Sequence, residues 1–330
     1  MSTSGDNSLT ALNHLRFHFG VATQHEAGVV VDGPSATADW LAAATLRGPF
    51  SRTARTLPAA FRLRSGKSPT EFSCSVVDPA LWAPELPAYY ELSSATDDRR
   101  LRLGFRRWES LRGHWYLNGR RRVLRAVRME TTAEISWQTC ADTATTLWVA
   151  WPTAAFCEAA MLAGVPVIGD FRPASGLAPV AEEGDESPQE LLPRRIAELA
   201  RFPNLLVSIV CARQLAELGS HPHLPVGRKL VGRTMFALPV DDVQQLASPI
   251  PMLEREGLGR LGCSAIVCDE STLTAAGKAG IPLPPKPVMA VRTGSASHVD
   301  TALATRRSGC DQLQRDLAPS CDLAGYLIGL

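Results

Sequence analysis

From residue 115 onward the sequence spaces apolar, strand-like runs with amphipathic or loop segments of about 15 to 35 residues, the rhythm of a parallel sheet with helical crossovers. Eight runs can be counted. They are Arg122-Val-Leu-Arg-Ala-Val127, Thr146-Leu-Trp-Val-Ala-Trp151, Val165-Pro-Val-Ile-Gly169, Leu205-Leu-Val-Ser-Ile-Val210, Lys229-Leu-Val-Gly-Arg-Thr-Met235, Ser264-Ala-Ile-Val-Cys268, Val288-Met-Ala-Val291 and Gly325-Tyr-Leu-Ile328. Helices are expected between them at 154–163, closed by Gly164, and at 188–200. Eight strands with helical crossovers predict a compact (β/α)8 TIM barrel, with no helix following the eighth strand.

Before residue 115 the pattern changes to short alternating segments punctuated by Gly and Pro: Gly28–Val31, Ala59–Leu63, Thr70–Val77, Ala88–Leu92 and Leu101–Phe105. Such period-two alternation predicts a small antiparallel β-sandwich. Asp78-Pro-Ala-Leu-Trp-Ala-Pro-Glu-Leu-Pro87 interrupts it with three prolines, an ordered extended crossing in which Trp82 reads as a packing anchor rather than a sugar platform. The organisation expected is an N-terminal extension at 1–25, a sandwich at 26–114 and the barrel at 115–330. His14, Phe17, His18 and Phe19 could give the extension a strand or helix edge.

With 45% hydrophobic residues and 20% charged ones, the chain has the composition of a packed globular protein. Its net charge of +1 provides no field for nucleic acid or an anionic bilayer, and Arg120-Arg-Arg122 reads as a solvated turn. The opening octapeptide is polar and lacks a secretory pattern, and no apolar run reaches the length of a membrane span. Eight scattered cysteines, several within apolar runs, suggest reduced buried thiols in the cytoplasm. His221 and His223 are the sole close histidine pair and have no neighbouring cysteine, so neither a metal nor a cofactor is expected.

Several segments together resemble glycoside hydrolase family two, the β-galactosidase, β-glucuronidase and β-mannosidase group. Gly104-Phe-Arg-Arg-Trp-Glu109 and Trp115-Tyr-Leu-Asn-Gly-Arg-Arg-Arg-Val-Leu-Arg125 are similar to that family's junction between sandwich and barrel. The Pro-rich stretch Asp78–Tyr89 resembles its Pro-x-Leu-Trp-x-Pro segment, which lies in an immunoglobulin-like domain. Gly164-Val-Pro-Val, Arg201-Phe-Pro-Asn, Lys286-Pro-Val and Ala324-Gly-Tyr resemble segments at the third, fourth, seventh and eighth barrel strands. The matches run in order from about residue 50 to the end, and the family's N-terminal jelly roll has no counterpart.

The resemblance implies two glutamates, an acid/base after the fourth strand and a nucleophile after the seventh. Retaining hydrolysis needs such a pair roughly 5 to 5.5 Å apart. Counting from Pro203 places Ser208, Ala212 and Arg213 where the family's Trp, Asn and Glu belong, and counting from Lys286 places Arg292 at the nucleophile. A guanidinium can neither give up a proton usefully nor form a glycosyl ester. Leu147 and Ala150 replace an expected Arg and His, and Gly329 replaces an expected tryptophan. Glu217 and Asp300 are the next carboxylates along the chain beyond the two strand ends. Arg125 either survives as a mouth residue or pairs with a local carboxylate.

Three functions fit this reading. The favoured one is a non-hydrolytic relative, a pseudoenzyme whose mouth uses Arg125, Arg213 and Arg292 to bind a carbohydrate or an anionic small molecule. The second is an active O-glycosyl hydrolase with displaced acids, Asp170 paired with Asp269 or Glu270. Those strands lie three apart around the ring, as the fourth and seventh do, although Asp269 and Glu270 would equally cap the following helix. The third is a scaffold or assembly protein, with a protein partner or a second copy covering the apolar last strand, which lacks a helix of its own.

Overall fold

The computed structural model describes residues 12–130, 134–173, 188–220, 235–247, 263–293, 302–318 and 321–329. In the N-terminal part, alternation along each strand sends every second side chain inward. Strands β1 (Arg16–Phe19), β2 (Glu26–Asp32), β5 (Arg64–Ser65) and β6 (Glu71–Val77) form one antiparallel sheet in the order β1-β2-β6-β5. Strands β3 (Ala44–Phe50), β4 (Ala59–Arg62), β7 (Tyr89–Ser94) and β8 (Arg100–Leu103) form a second, ordered β4-β3-β7-β8. Phe17, Val29, Val31, Phe72 and Val76 from the first sheet meet Leu46, Tyr90, Leu92 and Leu103 from the second in one core. The short helix α1 (Ala38–Ala42) adds Trp40 and Leu41 to it. β1 gives the segment at 1–25 the strand edge that Phe17, His18 and Phe19 allowed, whereas β3 lies outside the sequence expectation because it contains Gly48-Pro49, a pair that reads as a strand breaker.

A three-stranded meander leads into the barrel: β9 (Trp108–Leu111), β10 (His114–Leu117) and β11 (Arg120–Arg122). Its two-residue turns, Arg112-Gly113 and Asn118-Gly119, all have positive φ, the geometry that matches the twist of tight hairpins. Trp108 and Trp115 stack at 5.0 Å and are buried with Leu117, Leu124 and Ala126 in the main barrel core. Arg120–Arg122 is therefore a strand rather than a solvated turn. Arg122 grips Glu85 with both terminal nitrogens at 2.6 and 2.7 Å, and Arg121 reaches Asp322 at 2.6 Å.

The barrel strands are β12 (Leu124–Met129), β13 (Thr146–Ala150), β14 (Val167–Asp170), β15 (Leu205–Ile209), β16 (Met235–Val240), β17 (Cys263–Asp269), β18 (Val288–Thr293) and β19 (Gly325–Gly329). They pair in parallel, each with the next, and β19 closes on β12. Continuous apolar runs such as Val288-Met-Ala-Val291 suit strands buried on both faces. The fifth strand is displaced from its expected place. It spans Met235–Val240 and contains Pro239, whereas Lys229–Thr234 lie outside the described residues.

Helices α2 (Trp137–Asp142), α3 (Ala154–Leu162), α4 (Pro188–Leu199), α5 (Ala212–Ser220), α6 (Val243–Ala247), α7 (Glu270–Lys278) and α8 (Leu303–Leu317) alternate with the strands. The side chains of Ser136 and Thr153 cap α2 and α3 by accepting the Thr139 and Phe156 amides. The last strand is not bare. Helix α8 packs on both β12 and β19, and Ile328 lies against Gly309, so the open apolar end expected from the sequence is covered from within the chain.

The two parts meet at a tightly fitted seam. Trp82 is fully buried, and its indole donates to the Met161 carbonyl at the end of α3. Gly164 has φ +74°, and a Cβ there would stand 2.5 Å from the Pro84 oxygen. The backbone of Gly104 donates to the Arg201 carbonyl, and the buried Arg106 guanidinium donates to that of Pro203. Arg102 bridges Glu91 at 3.2 Å and Glu158 of α3 at 2.8 Å.

Candidate functional site at the barrel mouth

In a barrel of parallel strands, registered neighbours share a face, so one residue of known orientation fixes the rest. Arg125 supplies it. Its Nε donates to Asp311 at 2.8 Å and its Nη2 to Gln314 at 2.8 Å, both on the outer helix α8. Leu124, Ala126 and Arg128 therefore face inward. Arg128 is registered with Trp148, Trp148 with Ile168, and Asp170 two residues on with Ile209. The series continues through Ala237, Ala265, Val267, Met289, Val291 and Leu327 and returns to Ala126.

This parity relocates the expected arginines. Arg292 is registered with Ile328 and Cys268 with Ala290, placing Arg292 on the outer face. There its Nε and Nη2 hold the two oxygens of Glu270 at 2.6 and 2.5 Å, and Nη2 also meets Asp316 of α8 at 2.6 Å. The Glu270 carboxylate first, then Asp316, raises the Arg292 pKa above the ordinary arginine value. Arg213 lies in the first turn of α5, its side chain 77% exposed, and pairs with Glu217 at 2.9 Å. Arg125, Arg213 and Arg292 do not converge.

The inward residues at the two key strands carry no acid. β15 presents Val207 and Ile209 to the interior, while β18 presents Met289 and Val291 below Thr293. Ser208 faces away from the interior, fully buried, with no described partner for its hydroxyl. Asp300 lies outside the described residues, as do His221 and His223.

Inside the mouth stands a different cluster, which the sequence reading found only in part. Asp170 is 2% exposed. Its carboxylate accepts the Arg172 guanidinium at 2.9 and 2.8 Å and the Trp148 indole N–H at 3.2 Å, with Arg128 at 3.8 Å. Arg128 also lies over the Trp148 ring, 4.9 Å from its centroid. Arg172 is held above its ordinary pKa, first by the hydrogen bonds to Asp170, with Asp241 and Asp269 adding their charges. A Cβ at Gly329 would be 3.6 Å from the Trp148 ring, so a tryptophan from the second strand borders the place where one was expected from the eighth.

Asp269 occupies the N-cap position of α7, yet its side chain makes no capping bond. Asp241 and Asp269 are both exposed and have no ion pair among the described residues. Arg128 and Arg172 thus share the mouth with Asp170, Asp241 and Asp269. Among the described residues no group of three His, Cys, Asp or Glu side chains could hold a metal. The seven described cysteines are all unpaired thiols. No described helix is long and apolar enough to cross a membrane.

Arg128 and Arg172 were missed for a reason visible afterwards. Two arginines three apart on one strand must face opposite ways, so Arg125 and Arg128 could never both enter the mouth. Arg172 lies just past the expected strand and belongs to no motif.

No protein-family model and no curated protein matches the chain. Solved structures do. A glycosyl hydrolase family 2 member from Bacteroides cellulosilyticus is similar with a TM-score of 0.57 and 13% identity, over 96% of this chain and 43% of the enzyme. Bacteroides uniformis beta-glucuronidase 2 is similar with a TM-score of 0.55 and 12% identity, over 96% of this chain and 45% of that one. A beta-D-glucuronidase from Dictyoglomus thermophilum gives 0.55 and 12%, over 96% of this chain and 61% of the enzyme. The chain therefore has the fold shared by these glycosidases and spans between 43% and 61% of their lengths.

Proposed function

We propose that this chain is a non-hydrolytic relative of the family-two glycosidases, an immunoglobulin-like sandwich at about residues 26–114 joined to a compact barrel at 115–330, whose mouth binds carbohydrate without cleaving it. One observation carries the reading: neither the fourth nor the seventh barrel strand turns a carboxylate inward, where retaining chemistry would place its pair. In the displaced-acid alternative Asp269 remains exposed at the mouth, but its partner Asp170 is clamped by Arg172 and the Trp148 N–H, and Glu270 is bound to Arg292 outside the barrel.

Of the two ligand classes expected from the sequence, carbohydrate and anionic small molecule, we favour a neutral sugar: Arg125, Arg213 and Arg292 are engaged elsewhere, so the cationic lining that an anionic ligand would use is not assembled among the described residues. Unpaired thiols at seven cysteines accord with a reducing, cytoplasmic setting.

A panel of chromogenic β-glycosides, including galactosides, mannosides and glucuronides, should give no turnover above buffer. Neutral monosaccharides and β-linked disaccharides should raise the melting temperature more than glucuronate does, because a ligand of the folded state stabilises it by mass action. Turnover of any glycoside that disappears in Asp170→Asn would overturn the proposal.

A further inference from the structure

Residues 40–70 contain Arg47, Arg52, Arg55, Arg62, Arg64 and Lys67 and no carboxylate, in a chain whose net charge is only +1. The fold sorts these cations. In the sheet β4-β3-β7-β8, Leu46 and Leu92 point into the core, so Thr45, Arg47 and Ser93 point outward. Arg62 is registered with Thr45, Thr45 with Ser93 and Ser93 with Arg100. This makes one row across four strands, arginine at each end and hydroxyls between, spanning about 14 Å at ordinary strand spacing. Arg47 stands in the next outward row, and Arg52 and Arg55 extend from the loop joining β3 to β4. Arg64 is registered with Ser73 in the other sheet and does not join them.

Glu91 is the carboxylate of these two rows, and it already meets Arg102 at 3.2 Å and Arg100 at 3.6 Å. Arg47, Arg52, Arg55 and Arg62 are exposed and have no ion pair among the described residues. Arg47 and Arg62 on the outward rows, Arg47 registered with Glu91, together with the exposed Arg52 and Arg55 of the adjoining loop, suit a polyanion whose acidic groups recur along a chain. The hydroxyls of Thr45 and Ser93 between the arginines suit a partner that carries hydroxyls between its acids. The aromatic rings nearby are not free to stack on bases, since Tyr89 packs on Phe50 and lies under Arg102, which counts against single-stranded nucleic acid. Leu57, 90% exposed in the same loop, is a single apolar side chain, too little to anchor the face in a bilayer.

We propose that the outward face of β4-β3-β7-β8, with the loop at 51–58, binds a linear acidic polysaccharide of the polyuronate class. The site is distinct from the barrel mouth and does not depend on how the mouth is read. Titration with polygalacturonate at low and at physiological salt tests it, with dextran as the neutral polymer. Binding should be saturable, should weaken with salt and should be absent with dextran. Arg47→Ser with Arg62→Ser, and Arg52→Ser with Arg55→Ser, should each weaken it several-fold, and the four together on the order of 100-fold, with unchanged melting temperature because all four side chains are exposed. No binding at low salt, or a fourfold variant that binds like the parent, would refute the site. Duplex DNA or phosphatidylglycerol vesicles binding as tightly as polygalacturonate at the same salt would refute the polysaccharide assignment.

Discussion

Arg292 sits one residue out of phase with the barrel interior, so it does not occupy the seat that counting along the chain assigned to it. On a strand, a shift of one position exchanges core for exterior, so a charge at 292 answers to α7 and α8 rather than to a sugar. Arg292→Glu, the substitution that would seem to restore a nucleophile, should therefore produce no hydrolysis. It would instead set a third carboxylate beside Glu270 and Asp316, with a loss of about 2 kcal/mol in urea unfolding. Stability equal to the parent's would show that the ion pair contributes nothing. Asp170 is the converse case, a buried acid whose oxygens are all engaged. Asp170→Ala leaves Arg172 and the Trp148 N–H without their partner, and a loss of roughly 3–5 kcal/mol is expected in the same titration. A loss below about 1 kcal/mol would mean that water replaces the carboxylate at once.

Among the elements, β1 is directly exposed to a change of pH. This four-residue edge strand is tied to β2 by Asp32, which accepts from Arg16 at 2.7 Å and meets the His18 ring at 3.1 Å. Burial pushes the Asp32 carboxyl upward, but His18 and Arg16 outweigh it and hold the group below its ordinary pKa. A carboxyl with a depressed folded-state pKa stabilises the fold above its unfolded value, about 4, and that contribution fades as pH falls below it. The protection factors of the β1 amides should therefore fall between pH 5 and pH 3 by more than those of the β15 amides, and Asp32→Asn should remove most of that difference. An equal loss of protection in both strands would assign the acid loss to global unfolding instead.

The same elements mark how far the sequence could be read. Strands such as Val288–Thr293 were legible because burial on both faces writes a continuous apolar run, here Val288-Met-Ala-Val291. Strand β3 was hidden by Gly48-Pro49, and β16 by Pro239, since proline in a strand looks like its end. The candidate acids Asp170 and Asp269 could be placed at strand ends from the sequence. Their partners could not, because Arg128, Trp148 and Arg172 are gathered by strand parity and barrel closure rather than by spacing along the chain.

For the molecule as a whole, the decisive contacts are those joining the N-terminal sheets to the barrel. Two segments that resembled separate family motifs, Gly104-Phe-Arg106 and Arg201-Phe-Pro-Asn204, turn out to bond to each other across that seam. Burial drives the Arg106 guanidinium down to about 9, a cost the fold accepts within this seam. Trp82 in α3 packing and the Arg102 bridge to Glu158 add to the same joint. Two bodies fastened by buried aromatic and polar contacts should unfold together, so calorimetry of the parent should show one transition. Gly164→Val strikes the joint from the barrel side: its Cβ would press on the Pro84 oxygen, and φ +74° is strained for a β-branched residue. The expected outcome is a lower, split transition in which the sheets and the barrel melt separately. A single transition at the parent's temperature would show that the seam yields without cost and that each part is held by its own core.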